Sequence, residues 1–132
     1  MLSHSPLIVT LPAWDLERAG RFYEEVLGLS RADDLEAEEN GIVFESGGSR
    51  FYVYQTEAPR GGATSAFFLV DDLSAEMREL RSRNLKFEDY DLPGLKTVDG
   101  VFESGGLKSA WFKDSEDNII ALTQQVRVPA AV

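Results

Sequence analysis

Lys96 and Tyr90, both in the segment YDLPGLKTVDG, are the side chains of this 132-residue chain best suited to acid–base chemistry. A lysine held near an aromatic ring can lose its proton and act as a base, or keep it and bind an anion. Pro93 and Gly94 between them mark a loop, of the kind that covers a site; Asp91 and Asp99 are its other charged groups. The rest of the inventory is thin. There is one histidine, His4, close to the first residue, and no cysteine. A histidine relay, a thiolate nucleophile and a thiolate metal site therefore have no residues to use, and neither a serine elbow nor a phosphate-binding glycine loop occurs. Glu45 and Glu103 are the strand acids that a carboxylate-held cation would need. Each stands before a glycine pair and reads as the end of a strand in solvent.

Composition narrows the classes further. A chain of this length with 43% apolar residues builds one domain with a real core. The net charge of -10, with thirteen basic residues scattered among acids, excludes a nucleic-acid surface, which needs clustered Lys and Arg. The start, MLSHSPLIVTLP, lacks the basic and apolar regions of a secretion signal, and no apolar run reaches membrane-spanning length. The expectation is a cytoplasmic protein whose partner is a small molecule, with neither membrane nor nucleic acid involved.

The elements that must position any site repeat. In WDLERAGRFYEEVLGLS, apolar Leu16, Ala19, Phe22, Tyr23, Val26 and Leu27 fall at helical spacing, with Asp15 as N-cap and Gly28 as stop. DDLSAEMRELRSRN has the same design behind Asp72, with Leu73, Met77 and Leu80 on one face. Each helix follows a β-like run, PLIVTLPA or SAFFLVD, and precedes further strands: NGIVFESG and SRFYVYQTE, then KSAWFKD and NIIALTQ. The helix caps repeat at an offset of 57 residues and the word VFESGG at 58. Matching the last hairpins, VFESGGSRFYVY on WFKDSEDNIIAL, gives an offset of 68 instead, the difference being an insertion such as YDLPGLKTVDG. On this reading VFESGG is a strand end and glycine turn used at two different places in a duplicated unit.

DLERAGRFYEEVLGL, followed by FLVDDLSAEMRELRSRNLKFE and WFKDSEDNIIAL, resembles the vicinal oxygen chelate superfamily of glyoxalase I, bleomycin-resistance proteins and extradiol dioxygenases. The resemblance runs from about Leu7 to Thr123. It implies an α+β fold of two βαβββ modules whose sheets curl into a cup: module one over about 6–57, a linker over 58–64, module two over 65–125, and a tail at 126–132, all in one domain. It also implies a homodimer. In the terminal hairpin Asp117 stands where relatives carry glycine, and Asp tolerates left-handed backbone. Metal-dependent relatives place four ligands on the first and last strands of the modules, at positions that fall here on Ile8, Val53, Ser65 and Ala121. Three are hydrocarbon and none is a usual ligand; a register slip of one residue on the last strand would put Tyr52 or Tyr54 in place of Val53 and still give no four-ligand set, so no metal cofactor is expected.

Strand alternation gives the cup's lining. With Ile8 inward, so are Thr10 and Pro12; the same parity brings in Ser65, Phe67 and Leu69, then Phe51, Val53 and Gln55, then Ile119, Ala121 and Thr123, with Trp111 beside them. That is an apolar cavity with a few hydroxyls and one amide, suited to a small organic ligand. Thr10, Phe51, Gln55, Ser65, Phe67, Trp111 and Thr123 are the expected ligand contacts. The function read from this is metal-independent binding of a small organic molecule, possible use being sequestration. The alternative is an enzyme of the superfamily, a lyase, isomerase or dioxygenase, with a metal site or with Lys96 and Tyr90 as its catalytic groups.

Overall fold

Asp15 and Asp72 start the two helices in the same way. Each lies in extended backbone, and its side chain accepts a hydrogen bond from the N–H three residues on, Arg18 at 3.0 Å and Ala75 at 3.1 Å. The computed structural model describes residues 2–4, 7–32, 41–57 and 63–125. Helix α1 (Leu16–Arg21) runs on into one π-helical turn, Phe22–Val26, closed by the Leu27 N–H on the Phe22 carbonyl at 3.2 Å. Helix α2 (Leu73–Ser82) buries Leu73, Met77 and Leu80, the stripe that its periodicity marks.

Around α1 stand β1 (Val9–Ala13), β2 (Ser30–Arg31), β3 (Gly41–Ser46) and β4 (Ser49–Gln55), in the sheet order β1-β4-β3-β2. Around α2 stand β5 (Thr64–Leu69), β8 (Phe102–Ser104), β9 (Leu107–Lys113) and β10 (Ile119–Gln125), in the order β5-β10-β9-β8. The inserted segment forms its own small hairpin, β6 (Asp91–Leu92) with β7 (Leu95–Lys96). In both sheets the first strand runs parallel to the last and the remaining pairs are antiparallel. These are the two βαβββ modules of the expected α+β fold. By compactness the chain divides into Met1–Gly61 with Ser115–Asn118, and Gly62–Asp114 with Ile119–Val132. Most of the expected linker, residues 58–62, and the tail at 126–132 lie outside the described residues. No helix among the described residues is long and apolar enough to cross a membrane.

The strand register corrects one expectation. Val9 lies beside Phe51, and Ala66 beside Ile120, so the first strands repeat at 57 residues and the last strands at 69. The expected 68 aligned the two hairpins without a gap. Their turns differ: Gly47 and Gly48 alone close β3–β4, both with positive φ, whereas Asp114–Asn118 close β9–β10. The counterpart of Ala121 is therefore Tyr52, not Val53. VFESGG also takes its expected two places: its second copy ends β8 and turns on Gly105 and Gly106 into β9.

Each module has its own core between helix and sheet. In the first, the buried Tyr23 ring meets Phe44 at 5.4 Å and Phe51 at 5.3 Å, above Leu11, Ala13 and Val53. In the second, Leu73, Met77 and Leu80 are buried together with Ala110, Phe112, Ile120 and Leu122. A fully buried side chain of this size contributes about 1.5–3 kcal/mol. Among the described residues the opposite face of each sheet carries no helix of its own module, and the exposed candidate residues Thr10, Ser65 and Phe67 lie there.

Candidate ligand-binding faces

On β5 exposure alternates. Ser65, Phe67 and Leu69 are exposed, the last two at 63% and 65%, while Ala66 and Phe68 are partly covered on the helix side. In register, Phe67 stands beside Ala121, which stands opposite Trp111; Leu69 stands beside Thr123, which stands opposite Ser109. The open face of module two thus reads as an aromatic row next to a hydroxyl row. Ser109 Oγ and Thr123 Oγ1 hydrogen-bond to each other at 3.1 Å. Phe102 and Tyr90 close round Trp111, with ring centroids 6.3 and 5.6 Å away.

Tyr90 also anchors the inserted hairpin. Its N–H donates to Thr97 Oγ1 and its carbonyl accepts from the Thr97 N–H, both at 2.9 Å, while the Glu88 N–H donates to the Trp111 carbonyl at 2.7 Å. Burial, helped by the charge of Glu88, pushes the Tyr90 phenol up from its ordinary value, so it stays protonated at neutral pH. Lys96, the other expected catalytic group, is exposed and stands across the hairpin from Asp91. The structure does not bury it beside an aromatic ring.

The open face of module one departs from expectation. Thr10 and Pro12 are on it, the former exposed. Phe51, Val53 and Gln55, expected beside them, point the other way: Phe51 and Val53 are 9% and 1% exposed beneath α1. The Gln55 amide serves the start of α1, accepting from the Leu16 N–H at 3.0 Å and donating to the Trp14 carbonyl. Beside Thr10 and Pro12 in register stand Tyr52 and Tyr54, whose rings are parallel within 15° at 6.2 Å. The sequence places these two only as what a one-residue slip would bring to the Val53 metal position, not among the ligand contacts. The signal was the glycine pair: a two-residue turn sets Ser46 against Ser49 and so Phe44 against Phe51, which share the Tyr23 core.

The sequence also gave no hint of Glu116. The hairpin tip DSEDN, acid-rich as solvent-facing turns are, buries Asp114, Glu116 and Asn118. Glu116 accepts from the Asp15 N–H at 2.7 Å, from Arg18 Nε and Nη2 at 2.7 and 3.0 Å, and from Ser115 Oγ at 2.9 Å. Asn118 Nδ2 donates to the Pro12 carbonyl at 2.8 Å. Asp117 takes left-handed backbone at φ 66°, the place expected of it. These contacts build the entry to α1.

A divalent metal, which the resemblance implies for part of the superfamily, does not fit the residues present. With the register corrected, its four positions fall on Ile8, Tyr52, Ser65 and Ala121: two hydrocarbons and two hydroxyls, with no imidazole or carboxylate. Among the described residues no three His, Cys, Asp or Glu side chains are grouped to hold an ion. His4 is exposed, and so are Glu45, opposite Arg50, and Glu103, 3.7 Å from Lys108.

A parallel first and last strand, a helix packed on one face and the same arrangement twice are the features to be matched. The family model of the Glyoxalase/Bleomycin resistance protein/Dioxygenase superfamily matches residues 7–90. The chain belongs to this superfamily. Solved structures share the superfamily fold at low identity. Lactoylglutathione lyase from Agrobacterium tumefaciens is 21% identical, over 91% of this chain and 93% of that one, with a TM-score of 0.62. A glyoxalase/bleomycin resistance protein/dioxygenase from Alicyclobacillus acidocaldarius is 16% identical over 94% and 93%, at 0.68. A fosfomycin resistance protein from Listeria monocytogenes, in complex with Mn(II) and a dihydroxypropylphosphonic acid, is 14% identical over 92% of each chain, at 0.64. None of the curated proteins matches. Superfamily membership gives the fold and leaves the chemistry to the side chains.

Proposed function

We propose that the protein binds a small, partly aromatic organic molecule without a metal, and holds it rather than converting it. One observation carries the reading: the open face of module two presents Phe67, Leu69 and Trp111, around a buried Ala121, beside the Ser109–Thr123 hydroxyl pair, with no carboxylate or imidazole among them. Such a surface removes apolar area from water and offers a ligand two hydroxyls for orientation. On the open face of module one, Thr10, Tyr52 and Tyr54 are of the same character. Of the earlier ligand set, Thr10, Ser65, Phe67, Trp111 and Thr123 remain in the proposal, while Phe51 and Gln55 leave it for the helix side. A homodimer, which the superfamily resemblance implies, is also part of the proposal. Sedimentation as a monomer would remove that part.

The enzyme alternative draws little support from its named groups. Lys96 is in solvent, and a phenol kept protonated, as at Tyr90, donates a hydrogen bond but is no base at neutral pH. The test is the metal content of the purified protein, then melting of the chelator-stripped form with and without nickel, zinc, cobalt, manganese and iron. A ligand at a hundred times its dissociation constant adds about 2.7 kcal/mol, a rise on the order of 2 to 8 degrees for a chain of this size. No stoichiometric metal and no shift is the expected result. A stoichiometric metal with a clear shift would overturn the metal-free reading, and turnover abolished by Lys96→Ala would overturn sequestration.

A further inference from the structure

Tyr52 and Tyr54 are two residues apart on β4, hence on one face, and stand among low neighbours. Thr10 and Pro12 flank them on β1, Val43 and Gly41 on β3. Gly41 is the informative one. A Cβ placed there would lie 2.0 Å from the Tyr52 hydroxyl oxygen and 2.2 Å from two of its ring carbons, so the Tyr52 ring leans across β3 into the space where a side chain would be. An aromatic ring laid over a glycine fills a gap in a sheet, which accounts for Tyr52 but not for Tyr54. Tyr54 has proline on one side and glycine on the other, and it keeps its ring within 15° of its neighbour's plane. Two half-exposed, near-parallel rings above a low floor present flat π surfaces in one orientation.

We infer that this pair is a stacking platform, and that the ligand taken by the open face of module one is a planar conjugated molecule bearing neutral oxygen substituents. The inference rests on that proposed function and names its ligand class. Thr10 stands beside Tyr52 in register, and with the two phenols it gives this face three hydroxyls to match phenol, quinone or carbonyl oxygens. Among the described residues of β3 and β4, the charged ones on that face, Glu45 and Arg50, stand opposite one another toward the turn, so the described middle of the face carries no charge to select a charged ligand. Stacking on a fixed ring discriminates a flat molecule from a puckered one of the same size and polarity, because only the flat one brings its whole face within van der Waals distance.

The experiment uses 2-naphthol and its saturated counterpart, decahydro-2-naphthol, titrated calorimetrically into the full chain and into Tyr52→Leu, Tyr54→Leu and Gly41→Ala. Melting curves show that each variant is folded. The wild type should bind 2-naphthol several-fold more tightly than the saturated probe. Each leucine variant should weaken 2-naphthol by about two- to tenfold, the value of one aromatic contact, and leave the saturated probe unchanged. Gly41→Ala, by displacing the Tyr52 ring, should act in the same direction as Tyr52→Leu and serves as a check should either tyrosine variant fail to fold. Equal binding of the two probes, or a preference untouched by these substitutions, would overturn the platform and leave the small-molecule reading in place. Binding of neither probe by the wild type would overturn both.

Discussion

Gln55 and Gln124 perform one task in two modules. Gln55 Oε1 accepts a hydrogen bond from the Leu16 N–H at 3.0 Å, and Gln124 Oε1 accepts one from the Leu73 N–H at 2.8 Å. With the Asp15 and Asp72 caps, each module satisfies two of the amide donors that a helix start leaves unpaired, using the same two residue types. The duplication therefore reaches the level of single hydrogen bonds. It also ties the helix to the last strand of its own module, since each glutamine belongs to that strand.

Removing either glutamine should loosen the helix start, with a difference set by solvent. Gln124 is half-buried, so Gln124→Ala leaves an amide poorly placed to find water and should cost about 1–3 kcal/mol. Gln55 is exposed, and Gln55→Ala should cost less, about 0.5–1.5 kcal/mol. Urea melts of the two variants measure both. A larger loss at Gln55 than at Gln124 would mean that the Trp14 carbonyl contact matters more than exposure of the amide.

Helix starts, strand count and duplication are legible in the chain because they depend on local chemistry: an Asp before an amphipathic stripe, glycine pairs at turns. Facing on the first strands is legible too, since a fixed count from the cap sets it, and Ser65 and Thr10 are exposed where that count puts them. Facing on β4 is not, because it depends on how many residues the preceding turn consumes. One residue of error moves every side chain to the opposite face, which is what separates a lining of Phe51, Val53 and Gln55 from one that contains Tyr52 and Tyr54. Glu116 was beyond reach for another reason: its burial comes from Asp15 and Arg18, about a hundred residues away in sequence.

The facing on β4 has a direct test in stability. Phe51→Ala removes a ring packed on Tyr23 and Phe44 and should cost about 3–5 kcal/mol. Tyr52→Ala, on the half-exposed face, should cost less than half of that. Chemical denaturation with a common slope for both variants reads the difference, and equal losses would contradict the register described above.

Glu116 predicts an acid dependence. Burial pushes its carboxyl up, but hydrogen bonds from Arg18, the Asp15 N–H and Ser115, with the charge of Arg18, outweigh this and hold it below the usual carboxylate range. A depressed value in the folded state stabilises the fold above the unfolded value, about 4.3, and that contribution is lost as pH falls through the folded value. Glu116→Gln should therefore melt several degrees below the wild type at pH 7, with the gap constant down to about pH 5. Below that the two should converge. A gap that persists unchanged to pH 3 would mean that shape, not charge, supplies the stabilisation.

Tyr90 predicts the opposite sign at high pH. Its phenol is raised first by burial, where the ring lies 5.6 Å from Trp111, and then by the charge of Glu88. Because the folded value lies above the unfolded one, the associated stability is fully present below about pH 10 and is lost as pH rises through the folded value. Difference absorbance between wild type and Tyr90→Phe isolates this phenol, and its midpoint should lie above 10. Glu88→Gln removes only the second cause, so the midpoint should fall but remain above the ordinary value. A midpoint returned fully to about 10 by that one substitution would make repulsion by Glu88 the sole cause. The ring would then stand in water rather than against Trp111, and the inserted hairpin would have lost its anchor on the open face.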